Sequence, residues 1–570
     1  MKDFKDGDLQ RRVSALRERG EEEYVEAMAP KYNLTYINLL GTPINPEALS
    51  IIPQTTATEA EAVIFEKKDK TLLVGIQNPN NANLAQVLDM LKKNGYAVEG
   101  YYISRSSFEH ALTRYSDKPK AKAEKKGVLG IDPNTIAELA TTLKTQANAS
   151  ERLRAIQEAS DPEKVTHVLE TLFGGALAFA ASDIHIEPED DVARIRYRVD
   201  GLLFDIIEIP HNMYRLLVSR LKLLSGLTLN IKDEAQDGRF TLDVGDRNLE
   251  VRTSVIPGAH GESIVMRILD PKTAGFRFEE LGLNTKLQEV MEEELKRPNG
   301  AIITTGPTGS GKTTALYAFL QKVHSPEKKI ITIEDPVEYK LPGLVQTQVE
   351  EDYTFASGLR SILRQDPDVI MVGEVRDRDV AETVTQAAQT GHLVFSTLHT
   401  NNAAGAFPRL TDLGVDYRSI GSAYNVVLGQ RLVRTLCPHC KKPHALTAEE
   451  QKIVTRIMGE TPTQGTIYGP EGCDACGGSG YKGRIGVFEA IRVDDAVAEA
   501  VIADPSENSI LKAAEPQEIP SMQQDGVQKM YDGITSFAEL ERVLDLYNTG
   551  KAPEEDANDD SETDFSDHIV

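Results

Sequence analysis

The stretch Asn299–Gln321, NGAIITTGPTGSGKTTALYAFLQ, decides the fold of the larger part of this chain. An apolar run, Ala301–Ile303, leads into G-x-x-x-x-G-K-T at Gly306–Thr313, and a helix-forming run, Thr314–Leu320, follows. Strand, glycine-rich turn and helix in that order are what a phosphate-binding loop needs. Gly306, Gly309 and Gly311 let the backbone curl so that successive N–H groups point at phosphate oxygens, and the helix adds its positive end. Pro307, Thr308, Ser310 and Thr314 complete the cradle. Lys312 is expected against the β- and γ-phosphates, and the Thr313 hydroxyl on Mg²⁺. A glycine-rich turn without a ligand is the alternative, and the flanking strand and helix argue against it.

Two further apolar runs end in carboxylates, IITIEDPVE (Ile330–Glu338) and DVIMVGE (Asp368–Glu374). Ligands of a parallel sheet bind beyond the carboxyl ends of its strands, so these acids are expected near the phosphates. The second run resembles a Walker B strand with Gly373 where the metal-holding aspartate usually stands, which leaves Glu374 as its acid. Glu334 is assigned to polarise the attacking water and Glu374 to Mg²⁺ and its waters, two roles that could be exchanged. Pro336 stops the strand after Glu334, and helix capping is the competing reading for Asp335 and Glu338. A third segment, TGHLVFSTLHTNN (Thr390–Asn402), places His392 and His399 seven positions apart. On an extended strand that spacing sends them to opposite faces, so they cannot simply pinch one ion. If LVFST joins the same sheet, His399 lies past its carboxyl end as a γ-phosphate sensor, flanked by Thr397, Thr400 and Asn401. His392 then makes a structural hydrogen bond at the strand start.

At 570 residues the chain is too long for one core, on a prior of about 150 residues per domain. Residues 1–115 read as a small α/β module with strands TLLVGI (Thr71–Ile76) and AVEGYYI (Ala97–Ile103). Residues 116–149, containing DKPKAKAEKK, read as a linker, with a solvated helix as the alternative. Residues 150–285 alternate polar and apolar positions in ARIRYRVDG, RFTLDVG and SIVMRIL. Residues 286–550 alternate strands and helices, the pattern of a parallel sheet with crossover helices. Residues 551–570 include PEEDANDDSETDFSD, eight acids and no base, expected to be disordered. The formal charge of −25 argues against non-specific binding to nucleic acid or anionic lipid through overall charge, and leaves a local basic patch open. TLFGGALAFAA (Thr171–Ala181) falls well short of the roughly 18 apolar residues of a spanning helix. MKDFKDGDLQRR has no apolar signal region. A cytoplasmic protein is expected, touching membrane only through partners.

CPHC (Cys437–Cys440) and CDAC (Cys473–Cys476) use every cysteine in the chain. Two C-x-x-C pairs read as a tetrahedral structural zinc site, although the 32 residues between them exceed the usual ribbon spacing. Disulfides are the alternative, disfavoured in a reducing compartment. His439 and His444 are spare ligands. GGSGYKGRIGVFE (Gly477–Glu489) is expected as a loop that exposes Arg484.

With GPTGSGKTT, ITIEDPVEY, VIMVGEVRD and TGHLVFSTLHTNN in this order, the chain resembles the secretion ATPases of the type II and type IV pilus systems. Upstream, ASDIHIEP, RYRVDG, QDGR and GESIVMRIL look like that family's second amino-terminal domain. The resemblance implies a RecA-like carboxy-terminal domain (286–550), a PAS-like α+β N2 domain (150–285) and a small α/β N1 domain (1–115). Its extension members carry a tetracysteine zinc subdomain, here 435–488. The resemblance further implies ATP as substrate with Mg²⁺, and a homo-hexamer peripheral to the inner face of the cytoplasmic membrane. Such a ring drives a polytopic inner-membrane platform protein for pilus assembly or pseudopilus extension, with an adaptor docking on N1. By position in VRTSVIP and GESIVMRIL it carries to Arg252 and Arg267 the clamping of a nucleotide from a preceding domain; Arg239 in QDGR is a weaker candidate. A guanidinium suits a transferring phosphoryl, although a strand-edge or ion-pair role competes. YNLTYINLL and INPEALSIIPQ resemble N1. Some members bind a cyclic dinucleotide through a repeat beginning R-L-G, which is not found here, so no second-messenger site is expected. A ring ATPase for DNA uptake or transfer shares the loop, but the acidic balance and the lack of an aromatic-basic groove count against direct nucleic-acid binding. A zinc-ribbon nucleic-acid binder with a vestigial site fails because Lys312, Thr313, Glu334 and Glu374 are all present.

Overall fold

Apolar runs without alternation become strands covered on both faces, and alternating runs become strands with one open face. Both kinds occur in the computed structural model, which describes residues 20–547 apart from 69, 94, 117–130, 144, 160–162, 246, 271–276 and 460–465. The acidic tail and the DKPKAKAEKK stretch lie outside the described residues. The chain divides into two compact units at 273/274.

In the first unit, β1 (Thr35–Tyr36), β2 (Ala62–Lys68), β3 (Thr71–Ile76) and β4 (Ala97–Tyr102) form a sheet in the order β1-β4-β3-β2. Its core takes in Leu223 and Leu229 from the following module, so the two amino-terminal modules pack as one body. That following module is an antiparallel sheet of β5 (Asp183–Pro188), β6 (Val192–Val199), β7 (Leu202–Pro210), β8 (Gln236–Val244), β9 (Arg247–Gly258) and β10 (Gly261–Leu269), ordered β7-β6-β5-β10-β9-β8. Ile195, Tyr197, Val251 and Ile264 face its core, while the residues between them are partly or fully exposed. The apolar TLFGGALAFAA stretch belongs largely to a helix, Lys164–Ala178, buried against this sheet. Gly174 is needed there, because a Cβ would come 2.5 Å from the Cβ of Leu139. Leu139 lies on the helix Pro133–Thr142, inside the stretch read from sequence as linker. Ile131 and Ile136 are buried in the same core, so this part of the stretch belongs to the module.

The second unit is built on a sheet of β11 (Gly300–Thr305), β12 (Ile330–Glu334), β13 (Val345–Gln348), β14 (Val369–Val372), β15 (Leu393–Leu398), β16 (Tyr424–Leu436) and β19 (Tyr481–Arg492), with β17 (Lys442–His444) and β18 (Ile467–Gly469) pairing separately. The order is β13-β12-β14-β15-β11-β16-β19, parallel except for the last strand. One strand, β15, separates the loop strand β11 from β14, as in a RecA-like core. Side chains alternate between two cores: Ala301 and Ile303 face one side with Val372 and Val394, and Ile302 faces the other with Phe319 and Phe395. The sequence expectation fails at Tyr481–Glu489. This segment is strand rather than loop, because β16 runs far enough to pair with it from Gly429 to Leu436. Arg484 is nevertheless exposed. No helix of the described residues is long and apolar enough to cross a membrane.

Candidate functional site

The phosphate loop follows from β11 directly. Gly306, Gly309 and Gly311 hold φ of +153°, +79° and +86°, which side chains rarely adopt, and the helix Lys312–Val323 starts at once. A Cβ on Gly306 would stand 2.5 Å from the carbonyl oxygen of Gln430 and 2.6 Å from Ser310 Oγ. The loop is therefore pressed onto β16. Ser310 Oγ and Gln430 Oε1 are buried beside it without hydrogen-bond partners among the described residues. Orphaned polar atoms under a ring of backbone amides suit a bound anion with its water or metal shell. Lys312 Nζ donates to the carbonyls of Gly306 (2.8 Å) and Pro307 (3.0 Å). Burial brings its pKa down to about 8, Glu374 holds it up and Arg431 adds to the depression.

The acids lie at the carboxyl ends of neighbouring strands. Glu374 follows β14, pairs with Arg376, and lies 3.2 Å from His399 Nε2 past the end of β15. Arg376 also reaches Asp335 at 3.2 Å. Glu334 closes β12 and is 2 % exposed. Its Oε1 accepts from Thr332 Oγ1 (2.6 Å) and Gln346 Nε2 (3.1 Å), and its Oε2 accepts from Tyr317. Burial raises the Glu334 pKa, and these three donors oppose the rise. Thr305 Oγ1 and Thr400 Oγ1 lie 2.6 Å apart and tie the histidine segment to the loop strand, while Thr397 Oγ1 donates to the Gly373 carbonyl. His392 Nδ1 lies 3.1 Å from the Ala387 carbonyl at the opposite end of β15.

Sequence reasoning named Lys312, Thr313, Glu334, Glu374 and His399, but not the groups that hold them. Thr332 was discoverable, standing two residues before Glu334 and hence on the same face of the strand. Tyr317, Gln346 and Arg431 carry no such signal, because tertiary pairing alone brings them in. Arg431 Nη2 donates to the Asn401 carbonyl at 2.7 Å, linking β16 to the histidine segment, and burial lowers its pKa.

In the first unit Arg252 and Arg267 are register partners on β9 and β10. The row extends to Arg239 on β8 in one direction, and to Asp183 on β5 and Arg198 on β6 in the other. Arg267 Nε donates to Asp183 Oδ1 at 3.0 Å, and Arg252 Nε pairs with Glu250 at 3.2 Å. The buried Asp183 thus anchors the guanidinium groups of Arg267 and Arg198 on either side of it, and Glu250 holds Arg252.

The four thiols lie within 4.8 Å of one another, with Sγ–Sγ distances of 3.9 Å (Cys437–Cys473), 3.8 Å (Cys440–Cys476) and 3.8 Å (Cys473–Cys476). A tetrahedron with Zn–S bonds of about 2.3 Å has edges of about 3.8 Å. The donor set therefore fits zinc, and the long loop between the pairs does not prevent closure. Burial works to raise the Cys476 pKa, but the amides of Cys473 and Gly480, each 3.2 Å from its sulfur, help bring it to about 7, favouring the thiolate a metal needs.

The family described as type II/IV secretion system protein matches residues 158–542, and the MshEN domain matches residues 32–122. The type II secretion system ATPase E of Vibrio cholerae is 40 % identical over 451 residues, 79 % of this chain and 88 % of that protein. The type II secretion system protein E of Aeromonas hydrophila is 38 % identical, covering 87 % and 97 %. The type IV pilus assembly ATPase PilB of Myxococcus xanthus is 33 % identical, covering 91 % and 90 %. The chain belongs to the type II/IV secretion system protein family, as an ATP-hydrolysing member.

Proposed function

We propose that this chain is the ATP-driven motor of a type II secretion or type IV pilus machine. It works as a homo-hexamer at the inner face of the cytoplasmic membrane, through a polytopic platform protein and an adaptor on its amino-terminal module. The observation that carries the reading is the convergence of Lys312, Glu374 and His399 on the phosphate loop, with Glu334 closing β12, the strand beside β14. Loop amides and Lys312 bind the phosphates. Thr313 and Glu374 would hold Mg²⁺, which draws charge from the phosphate oxygens. Glu334 takes a proton from water, whose oxygen bonds to the γ-phosphorus as the bond to the β–γ bridging oxygen breaks and ADP leaves. His399, within reach of Glu374, reports the γ-phosphate to that acid.

Arg252 and Arg267 stand side by side with Arg239 in line, which supports their acting together on the triphosphate of a neighbouring subunit. A mixing experiment tests the shared pocket. An Arg252→Ala/Arg267→Ala chain and a Lys312→Ala chain are each inactive alone, and their mixture recovers turnover when rings co-assemble. Mixed rings without recovered turnover refute the shared pocket. Zinc on the four thiolates is structural, since every ligand position is filled by the chain.

A further inference from the structure

The reading of Glu334 as the water-activating carboxylate leaves a question of orientation. A carboxylate offers about four acceptor sites. Thr332 and Gln346 fill two on Oε1 and Tyr317 fills one on Oε2, leaving one on Oε2. The donors are themselves fixed. Gln346 also donates to the Tyr339 carbonyl (2.9 Å) and accepts from the Leu341 amide (2.7 Å), which sets its amide orientation. The Tyr317 oxygen accepts from the Glu338 amide at 3.3 Å, so its proton goes to Glu334.

Thr332 and Gln346 sit on the neighbouring strands β12 and β13, in register with each other. Tyr317 comes from a different element, the helix whose first residue is Lys312. Tyr317 is five positions on, about 7.5 Å along a rigid helix. The ring is 3 % exposed and meets Tyr339 edge-on at 6.4 Å, so its hydroxyl cannot wander from the carboxylate without moving the helix.

We propose that Tyr317 is a positioning residue for hydrolysis: its hydroxyl fixes the Glu334 carboxylate so that one acceptor site on Oε2 is kept for the attacking water. Because the same helix begins in the phosphate loop, seating the phosphates and aiming the base become one event. Among the groups around Glu334, Glu338 is the charged one that acts on it, pushing its pKa up, while Tyr317, Thr332 and Gln346 are neutral donors that bring it down. The inference rests on the assignment of Glu334 made above.

The test is steady-state ATP turnover of the full-length assembled protein against pH, with ADP affinity and thermal stability measured alongside. Tyr317→Phe keeps the packed ring and removes one donor. Its kcat near neutral pH is expected about tenfold lower, with KM and ADP affinity within twofold, and its acidic limb about one pH unit higher. A ring-fluorinated tyrosine at 317, a stronger donor of the same shape, moves that limb the other way. Glu334→Gln is expected to bind nucleotide without turnover. Inactive Glu334→Gln beside a Tyr317→Phe with unshifted kcat and limb overturns the positioning role alone. Active Glu334→Gln overturns the assignment of the base, and the inference with it. Parallel loss of ADP affinity and stability in Tyr317→Phe makes the residue structural and also overturns the proposal.

Discussion

Lys312 offers the sharpest quantitative check on the phosphate site. The side chain is 9 % exposed, and burial brings its pKa down to about 8. About nine in ten free pockets carry the proton at pH 7 and about one in ten at pH 9. A bound polyphosphate strongly favours the ammonium, so binding at pH 9 must take up a proton that binding at pH 7 already finds in place. The dissociation constant is therefore expected to rise about tenfold from pH 7 to pH 9, about 1.4 kcal/mol. Stability of the unliganded chain runs the opposite way. The folded pKa lies below the unfolded one, so the unfolded chain holds more protons between about pH 8 and 10.4, and stability rises with pH across that window. The assay is equilibrium titration with a fluorescent ADP analogue in EDTA at fixed ionic strength. Lys312→Arg, which stays charged, is expected to bind with a flat profile. A profile for the parent chain that stays within twofold over the same range refutes the placement of a near-neutral cation in the loop.

Glu539 is fully buried and accepts from the Arg434 amide and guanidinium and from the Arg542 guanidinium, so Glu539→Gln leaves the largely buried Arg434 cation without its carboxylate and is expected to cost about 3 kcal/mol in denaturant unfolding of the second unit. Cys473→Ser opens the thiolate cluster. Metal analysis is expected to give one zinc per parent chain and far less in the variant, and hydrogen exchange to quicken in the helix Ala448–Met458. Gly306→Ala forces a Cβ onto the Gln430 carbonyl, at an expected cost of about 1–3 kcal/mol in thermal unfolding, with nucleotide affinity falling at least tenfold.

The sheet that carries the site was legible because its strands are buried on both faces and so read as plain apolar runs, Ala301–Ile303 and Leu393–Leu398 among them. The acids at their ends followed from topology alone. Less legible were the elements whose role depends on pairing partners distant in sequence. Residues 133–142 look polar enough for a linker, yet Ile136 and Leu139 form the narrow apolar stripe that docks on Gly174. Gly-rich GGSGYKG reads as a loop, yet its later part is a strand because β16 supplies the opposing edge. The arginine row was half visible. The sequence offers Arg239, Arg252 and Arg267 as separate residues, and only strand register makes them neighbours and places Asp183 next in line beside Arg267.

One strand connects the two sites of the second unit. β16 lies beside β11, with Gly429 opposite Thr305, the residue before Gly306. Gln430 and Arg431 then press on the loop and on the histidine segment. Cys437 follows six residues after Arg431, about 20 Å along an extended chain. Between them the strand is clamped: Arg434 stacks on the Tyr481 ring at 3.9 Å and pairs with buried Glu539, and the amides of Leu436 and Cys437 donate to the Ile534 and Gly480 carbonyls. An extended, hydrogen-bonded strand is stiff along its axis. From Gln430 to the thiolates the backbone is thus one continuous strand, with a single register shift against β19 between Arg434 and Leu436. Were the four thiolates to close on the zinc that their spacing fits, they would pin this strand at the end away from the phosphate loop.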